Sequence, residues 1–140
     1  MNALQLRQAL RDYPVTVCAA DQLRVRTDHF VIANTDTKEG PGLHWVTFYF
    51  PRDGPDELFD SLGQTPFSYD VGFERALQRP YLMLTDAIQD PYSDLCGLYC
   101  IYYVMERFKR RSFRTLVTPF DISDRQQNDR HVYMYWNNHK

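Results

Sequence analysis

The stretch from Cys96 to about Arg110, with LYCIYYVMERF at its centre, constrains the fold more than any other part of this chain. The run is apolar on nearly every side for about two helical turns, so a helix built from it has no face to present to water. It has to pass through the middle of the domain with the other elements packed around it. The chain has 140 residues, of which 44% are hydrophobic and 15% aromatic. That is the size of one domain, with enough apolar material to cover one buried helix. Residues 1–140 are therefore read as a single α+β domain, and no internal repeat, low-complexity stretch or linker divides it.

Periodicity picks out the covering elements. Leu4, Leu6, Ala9 and Leu10 predict an amphipathic helix over residues 2–11, ended by Asp12-Tyr13-Pro14. Residues 29–34, HFVIAN, read as a short buried strand, and the polar loop after it closes on Gly40-Pro41-Gly42, which allows a sharp turn. Residues 44–50, HWVTFYF, form the clearest strand, with His44, Val46, Phe48 and Phe50 sharing one face. Turn chemistry over residues 51–55 leads into a partner strand at 57–61, ELFDS, which makes a hairpin. A helix is expected over 69–78, a strand over 81–87, and an amphipathic helix over 123–138. Ser93 or Asp94 offers an N-cap to the buried helix.

Charge and cysteine usage exclude several function classes. A formal net charge of −2 gives the whole chain no pull toward nucleic acid or membrane. The cluster Lys109-Arg110-Arg111 with Arg114 is a short candidate DNA contact, or simply complements the end of the helix before it. No apolar run approaches the roughly 20 residues of a membrane span, and the first 30 residues hold no signal-peptide core. A soluble intracellular protein is expected. Cys18, Cys96 and Cys100 are odd in number and lack zinc-type spacing, so neither a metal site nor a disulfide framework is expected. Cys18 and Cys100 read as small core residues. His29, His131 and His139 have no partner signature.

One constellation remains. Nucleophilic thiol chemistry needs a thiolate, a base, a group that fixes the base, and donors for a developing oxyanion. Cys96 opens the buried helix, where the N-terminal partial charge lowers a thiol pKa, and Gly97 keeps the neighbouring space free for a substrate backbone. His44 heads the strand HWVTFYF, where its ring is expected at a sheet edge. Asp60 ends the partner strand, so the hairpin brings it back to His44 to accept the imidazole N–H, a place Asn34 could also fill. Gln89 stands in the loop before Cys96 and can fold its amide toward the thiol, beside the Cys96 N–H. Trp45 adjoins the base and is a candidate wall of the substrate cleft.

The segments GLHWVTFYF, LFDSLG and QDPYSDLCGLYC together resemble the adenain-like cysteine peptidases, within the wider ubiquitin-like-protease superfamily. The resemblance covers roughly residues 28–108. It implies a papain-like permuted fold with catalytic order His44, Asp60, Cys96, Gln89 as oxyanion donor, and Trp45 and Gly97 at the substrate. The implied activity is that of a cysteine endopeptidase without a required cofactor, processing viral structural precursors after small residues such as glycine. It further implies a monomer in the host nucleus or cytoplasm, packaged in virions, with protein substrates and no membrane contact.

This sequence departs from the adenoviral branch in being shorter beyond the central helix and in carrying Asp60 where that branch has Glu. The resemblance names DNA and a viral peptide as activators. Residues 78–88 contain no cysteine, so a peptide would add to the sheet without a disulfide. The alternatives are removal of a ubiquitin-like modifier, acetyl transfer through the same residues, and an inactive virion- or nucleic-acid-associated binding module.

Overall fold

The computed structural model describes every residue except Pro41, part of the expected Gly-Pro-Gly turn, which lies outside the described residues. Within the described residues, five strands form one mixed sheet in chain order: β1 Val15–Cys18, β2 Phe30–Asn34, β3 Trp45–Tyr49, β4 Asp56–Phe59 and β5 Tyr81–Met83. The outer pairs, β1 with β2 and β4 with β5, are parallel, and the inner pairs are antiparallel. Among the described residues, five α-helices accompany the sheet: α1 Ala3–Ala9, α2 Val71–Ala76, α3 Cys96–Phe108, α4 Phe113–Val117 and α5 Arg125–His139. This is a mixed α/β architecture, compatible with the α+β class expected.

The apolar run becomes α3, and every residue from Gly97 to Met105 is buried. One face of the sheet, through Phe30, Ile32 and Phe59, packs on α3 in a core that also takes residues of α1, α4 and α5. On the opposite face Val46, Phe48 and Leu58 meet Phe73 of α2 and Leu77. The period-two alternation of β3 thus feeds two cores. A buried ionic cluster ties α3 to β4. Glu57 is 3% exposed. Its carboxylate accepts Arg107 Nε at 3.0 Å and Nη2 at 2.9 Å, together with the Tyr103 hydroxyl.

Several expectations are corrected. The 81–87 strand stops at Met83, because the backbone N–H groups of Ile88 and Gln89 turn to Ser61 O, at 2.9 and 3.0 Å. Gly63 permits this close crossing: its φ is +63°, and a Cβ there would stand 2.5 Å from the Asp86 carbonyl carbon. The 69–78 helix is shorter, Val71–Ala76, since Asp70 caps it through Gly72 N–H and leaves Tyr69 outside. Neither Ser93 nor Asp94 caps α3; Leu95 is its N-cap, with no side-chain bond. β1 and α4 were not anticipated. Each is four or five residues long, too short to print a period.

Candidate active site

His44 sits one residue ahead of β3, the central strand of five. It therefore lies at an end of the sheet and not along an edge, as the sequence had implied, because an edge belongs only to the outermost strands. The loop before it is held by Asn34, whose Oδ1 accepts the N–H groups of Asp36 at 2.9 Å and Leu43 at 3.0 Å. Thr35 N–H then donates to His44 O at 2.8 Å. Asn34 thus shapes the approach to His44, with its amide oxygen engaged by that backbone and not by the ring.

β4 pairs with β3 in the register Thr47 to Phe59. Continued one residue, this register sets Asp60 opposite Val46, on the face His44 shares by alternation. The result is a bond of 2.7 Å between His44 Nε2 and Asp60 Oδ1, with His44 8% and Asp60 1% exposed. A carboxylate this buried needs its other lone pairs filled. Leu62 N–H reaches Oδ1 at 2.9 Å, while Gln64 N–H and the Tyr69 hydroxyl reach Oδ2 at 3.1 and 2.6 Å. The Tyr69 ring also stands 6.1 Å from that of His44.

With Nε2 committed to Asp60, Nδ1 is the ring nitrogen left for Cys96. Burial lowers the His44 pKa, but hydrogen bonding to Asp60 and Cys96 outweighs it and raises the pKa from 6.5 to about 9. Burial raises the Cys96 thiol in turn, yet hydrogen bonding and charge interaction with His44, with a further bond from Trp45 N–H, bring it below its ordinary value. The uncapped start of α3 acts in the same direction. Burial pushes the Cys18 thiol up to about 11 and that of Cys100, one turn along α3, higher still. Of the three thiols, Cys96 is the one held toward thiolate, and it is less deeply buried than the other two.

A cleft of about 700 Å³ opens on this pair. His44, Trp45, Gln89, Ser93 and Cys96 line it, with Met1, Arg7, Asn34 and Lys38 farther round. Asp60 stands behind His44, outside the lining. Gln89 is 2% exposed; its Oε1 accepts the Ser61 hydroxyl at 2.5 Å, and its Nε2 donates to Ser93 O at 3.1 Å. Trp45 lines the cleft, but its indole N–H donates to Met1 O at 2.9 Å. Gly97 does not leave open space: a Cβ there would stand 3.1 Å from Met1 Cβ. Its missing side chain accommodates Met1.

All four residues expected to carry chemistry therefore converge, and the sequence missed three supports: Tyr69, Ser61 and the Trp45 backbone N–H. Ser61 had a visible signal, its place beside Asp60 in FDS. Tyr69 had none, since a loop delivers it. The other histidines stand apart; His29 Nε2, for instance, bonds Thr16 Oγ1 at 2.8 Å. Among the described residues no group of His, Cys, Asp and Glu could hold a metal ion, and no helix is long and apolar enough to cross a membrane.

No family model matches the chain. It is similar to the protease of Human adenovirus A serotype 12, at 25% identity over a 139-residue alignment that covers 76% of this chain and 68% of that protein. This likeness supports a distant relationship to the adenain-like proteases.

Proposed function

We propose that the chain is a cysteine endopeptidase of viral or virus-like origin, with Cys96 as nucleophile, His44 as base and later acid, Asp60 orienting His44, and Gln89 with the Cys96 N–H as oxyanion donors. The observation that carries this reading is that the buried Asp60 carboxylate holds His44 Nε2 at 2.7 Å in a cleft that His44 lines together with Cys96 and Gln89. His44 raised to about 9 and Cys96 lowered from its ordinary value both favour imidazolium and thiolate, the reactive form of a thiol hydrolase. The distant likeness to an adenoviral protease supports the same class. The papain-like permuted fold belongs to this proposal too.

In the reaction, the Cys96 sulfur attacks the scissile carbonyl and its carbon–oxygen double bond becomes an oxyanion. His44 gives its Nδ1 proton to the departing amine, the carbon–nitrogen bond breaks, and an acyl-thioester remains. Water attacks that ester as Nδ1 takes its proton, which releases the acid and restores the pair. Asp60 keeps Nε2–H in place, so Nδ1 alone exchanges protons.

The implied substrates are structural precursor proteins, cut after small residues, and DNA or a non-covalent peptide would act as activator. In the basic cluster, Lys109 and Arg111 pair with Glu106 at 3.2 and 3.0 Å, which leaves Arg110 and Arg114 for an acidic partner. Intact-mass labelling with a vinyl-sulfone peptide ending in Gly-Gly tests the reading on wild type, Cys96→Ala and His44→Ala, with and without DNA. Wild type alone takes up one probe. An unlabelled wild type whose Cys96 still reacts with iodoacetamide would replace the peptidase with a binding module. Cleavage of ubiquitin-like fusions, with capsid-type peptides untouched, would move the substrate class to modifier removal.

A further inference from the structure

We propose that Ser61 is a positioning residue for Gln89, holding its side-chain amide with the NH2 group on the cleft side; this rests on the oxyanion role given to Gln89 above. The orientation of the amide follows from two sides. Gln89 reaches Ser93 O at 3.1 Å, and a backbone carbonyl only accepts, so the atom facing it must be Nε2. The opposite atom is then Oε1, which also only accepts, so the hydroxyl 2.5 Å away must donate. The single proton of Ser61 is thereby committed to Gln89.

Two more bonds fix the backbone to the same residue, since Ser61 O accepts Ile88 N–H at 2.9 Å and Gln89 N–H at 3.0 Å. Ser61 and Gln89 are each 2% exposed, so no bulk solvent substitutes for any of these partners. Ser93 and Gln89 line the cleft whereas Ser61 does not. The hydroxyl therefore pins the oxygen inward, and Nε2 donates on the cleft side to Ser93 O at 3.1 Å and Ser93 Oγ at 3.2 Å, the bonds an oxyanion would draw on. Asp60, the preceding residue, holds His44. One dipeptide at the end of β4 thus orients the base with its first side chain and the oxyanion donor with its second.

Without the hydroxyl, Oε1 would be buried without a partner, and the amide would be held from the Ser93 side alone. An amide anchored on one side only would drift from the line of the developing oxyanion, and its contribution there would weaken. Ser61 therefore acts in the transition state and not in thiol activation.

The test is a double-mutant cycle between Ser61→Ala and Gln89→Ala, read by peptide cleavage, peptide-aldehyde inhibition and iodoacetamide alkylation, with circular dichroism to check folding. Ser61→Ala is expected to lower kcat about tenfold and leave KM within about twofold. It should weaken the aldehyde, whose adduct carries an oxyanion, by a similar factor and leave alkylation unchanged. In the Gln89→Ala background it should add nothing further. Ser61→Thr, which keeps the hydroxyl, should restore most of the loss. An undiminished effect in the Gln89→Ala background, or an equal loss of alkylation, would overturn the proposal, because Ser61 would then act through Asp60 or the fold. A wild type inert to every peptide and to the aldehyde would instead overturn the peptidase reading beneath it.

Discussion

Asp60 Oδ1 lies 2.7 Å from His44 Nε2, and that bond decides which ring nitrogen faces Cys96. The pair also fixes the charge state of the cleft. His44 is raised to about 9, so it keeps its proton until the pH rises through that value, and Cys96, lowered, loses its own below the ordinary thiol range. Thiolate and imidazolium therefore coexist between the two. Cleavage of a peptide amide should lose rate as pH rises through about 9, because the leaving amine no longer finds a proton. Alkylation needs only the thiolate and should not fall there. Rate profiles for both reactions check this, and coincident alkaline limbs would contradict it.

Asp60→Asn removes the charge that holds His44 protonated. The alkaline limb of cleavage should move down, and kcat/KM should drop about a hundredfold or more, as when the orienting acid of a catalytic triad is neutralised. His44→Ala should shift the alkylation midpoint of Cys96 up by about one pH unit or more, since its largest favourable contributor is gone.

Iodoacetamide at pH 6.5 should give a single adduct, mapped to Cys96 by peptide mass analysis. Cys18 is held up to about 11 and Cys100 is fully enclosed in α3. Early modification of Cys18 would mean that its burial in the cleft wall is not maintained in solution.

Glu57→Ala should destabilise the fold by about 3 kcal/mol or more, because it strands the Arg107 guanidinium, which is largely buried, and the Tyr103 hydroxyl. Urea denaturation reads the change, and a small loss would show that Arg107 reaches water from its pocket.

Asn128→Ala removes donors from Ile88 O at 2.9 Å, on the loop that carries Gln89, and from Asp121 O at 2.8 Å, on the connection between α4 and α5. A loss of about 1 kcal/mol is expected, since Ile88 O keeps the Tyr99 hydroxyl at 3.3 Å and Asp121 is exposed to water. Since Asp129 and Tyr99 hold the same loop, cleavage should fall by less than in Gln89→Ala. Equal losses would make Asn128 the principal anchor of that loop.

Much of the frame was legible without coordinates. An apolar run with no polar face allows only a buried helix, and α3 follows. The alternation in WVTFY and the turn before DELF force a hairpin, which brings residue 60 back to residue 44. Those are short-range consequences of pattern, and they carry His44, Asp60 and Cys96 into one region. The stop of β5 at Met83 was not legible, because Tyr81 to Ala87 is compatible with a strand throughout. A carbonyl 27 residues back in sequence from Ile88 ends it.

The sequence by itself determined the central helix, the hairpin and the residue types that meet in the cleft. Tertiary structure alone decided which atoms face one another: His44 Nε2 toward Asp60, the Gln89 oxygen toward Ser61, the Tyr69 hydroxyl on Asp60, and Met1 beside Gly97. Period and propensity act on a few neighbouring residues. Hydrogen-bond direction and burial depend instead on partners brought from distant parts of the chain, and no local pattern encodes them.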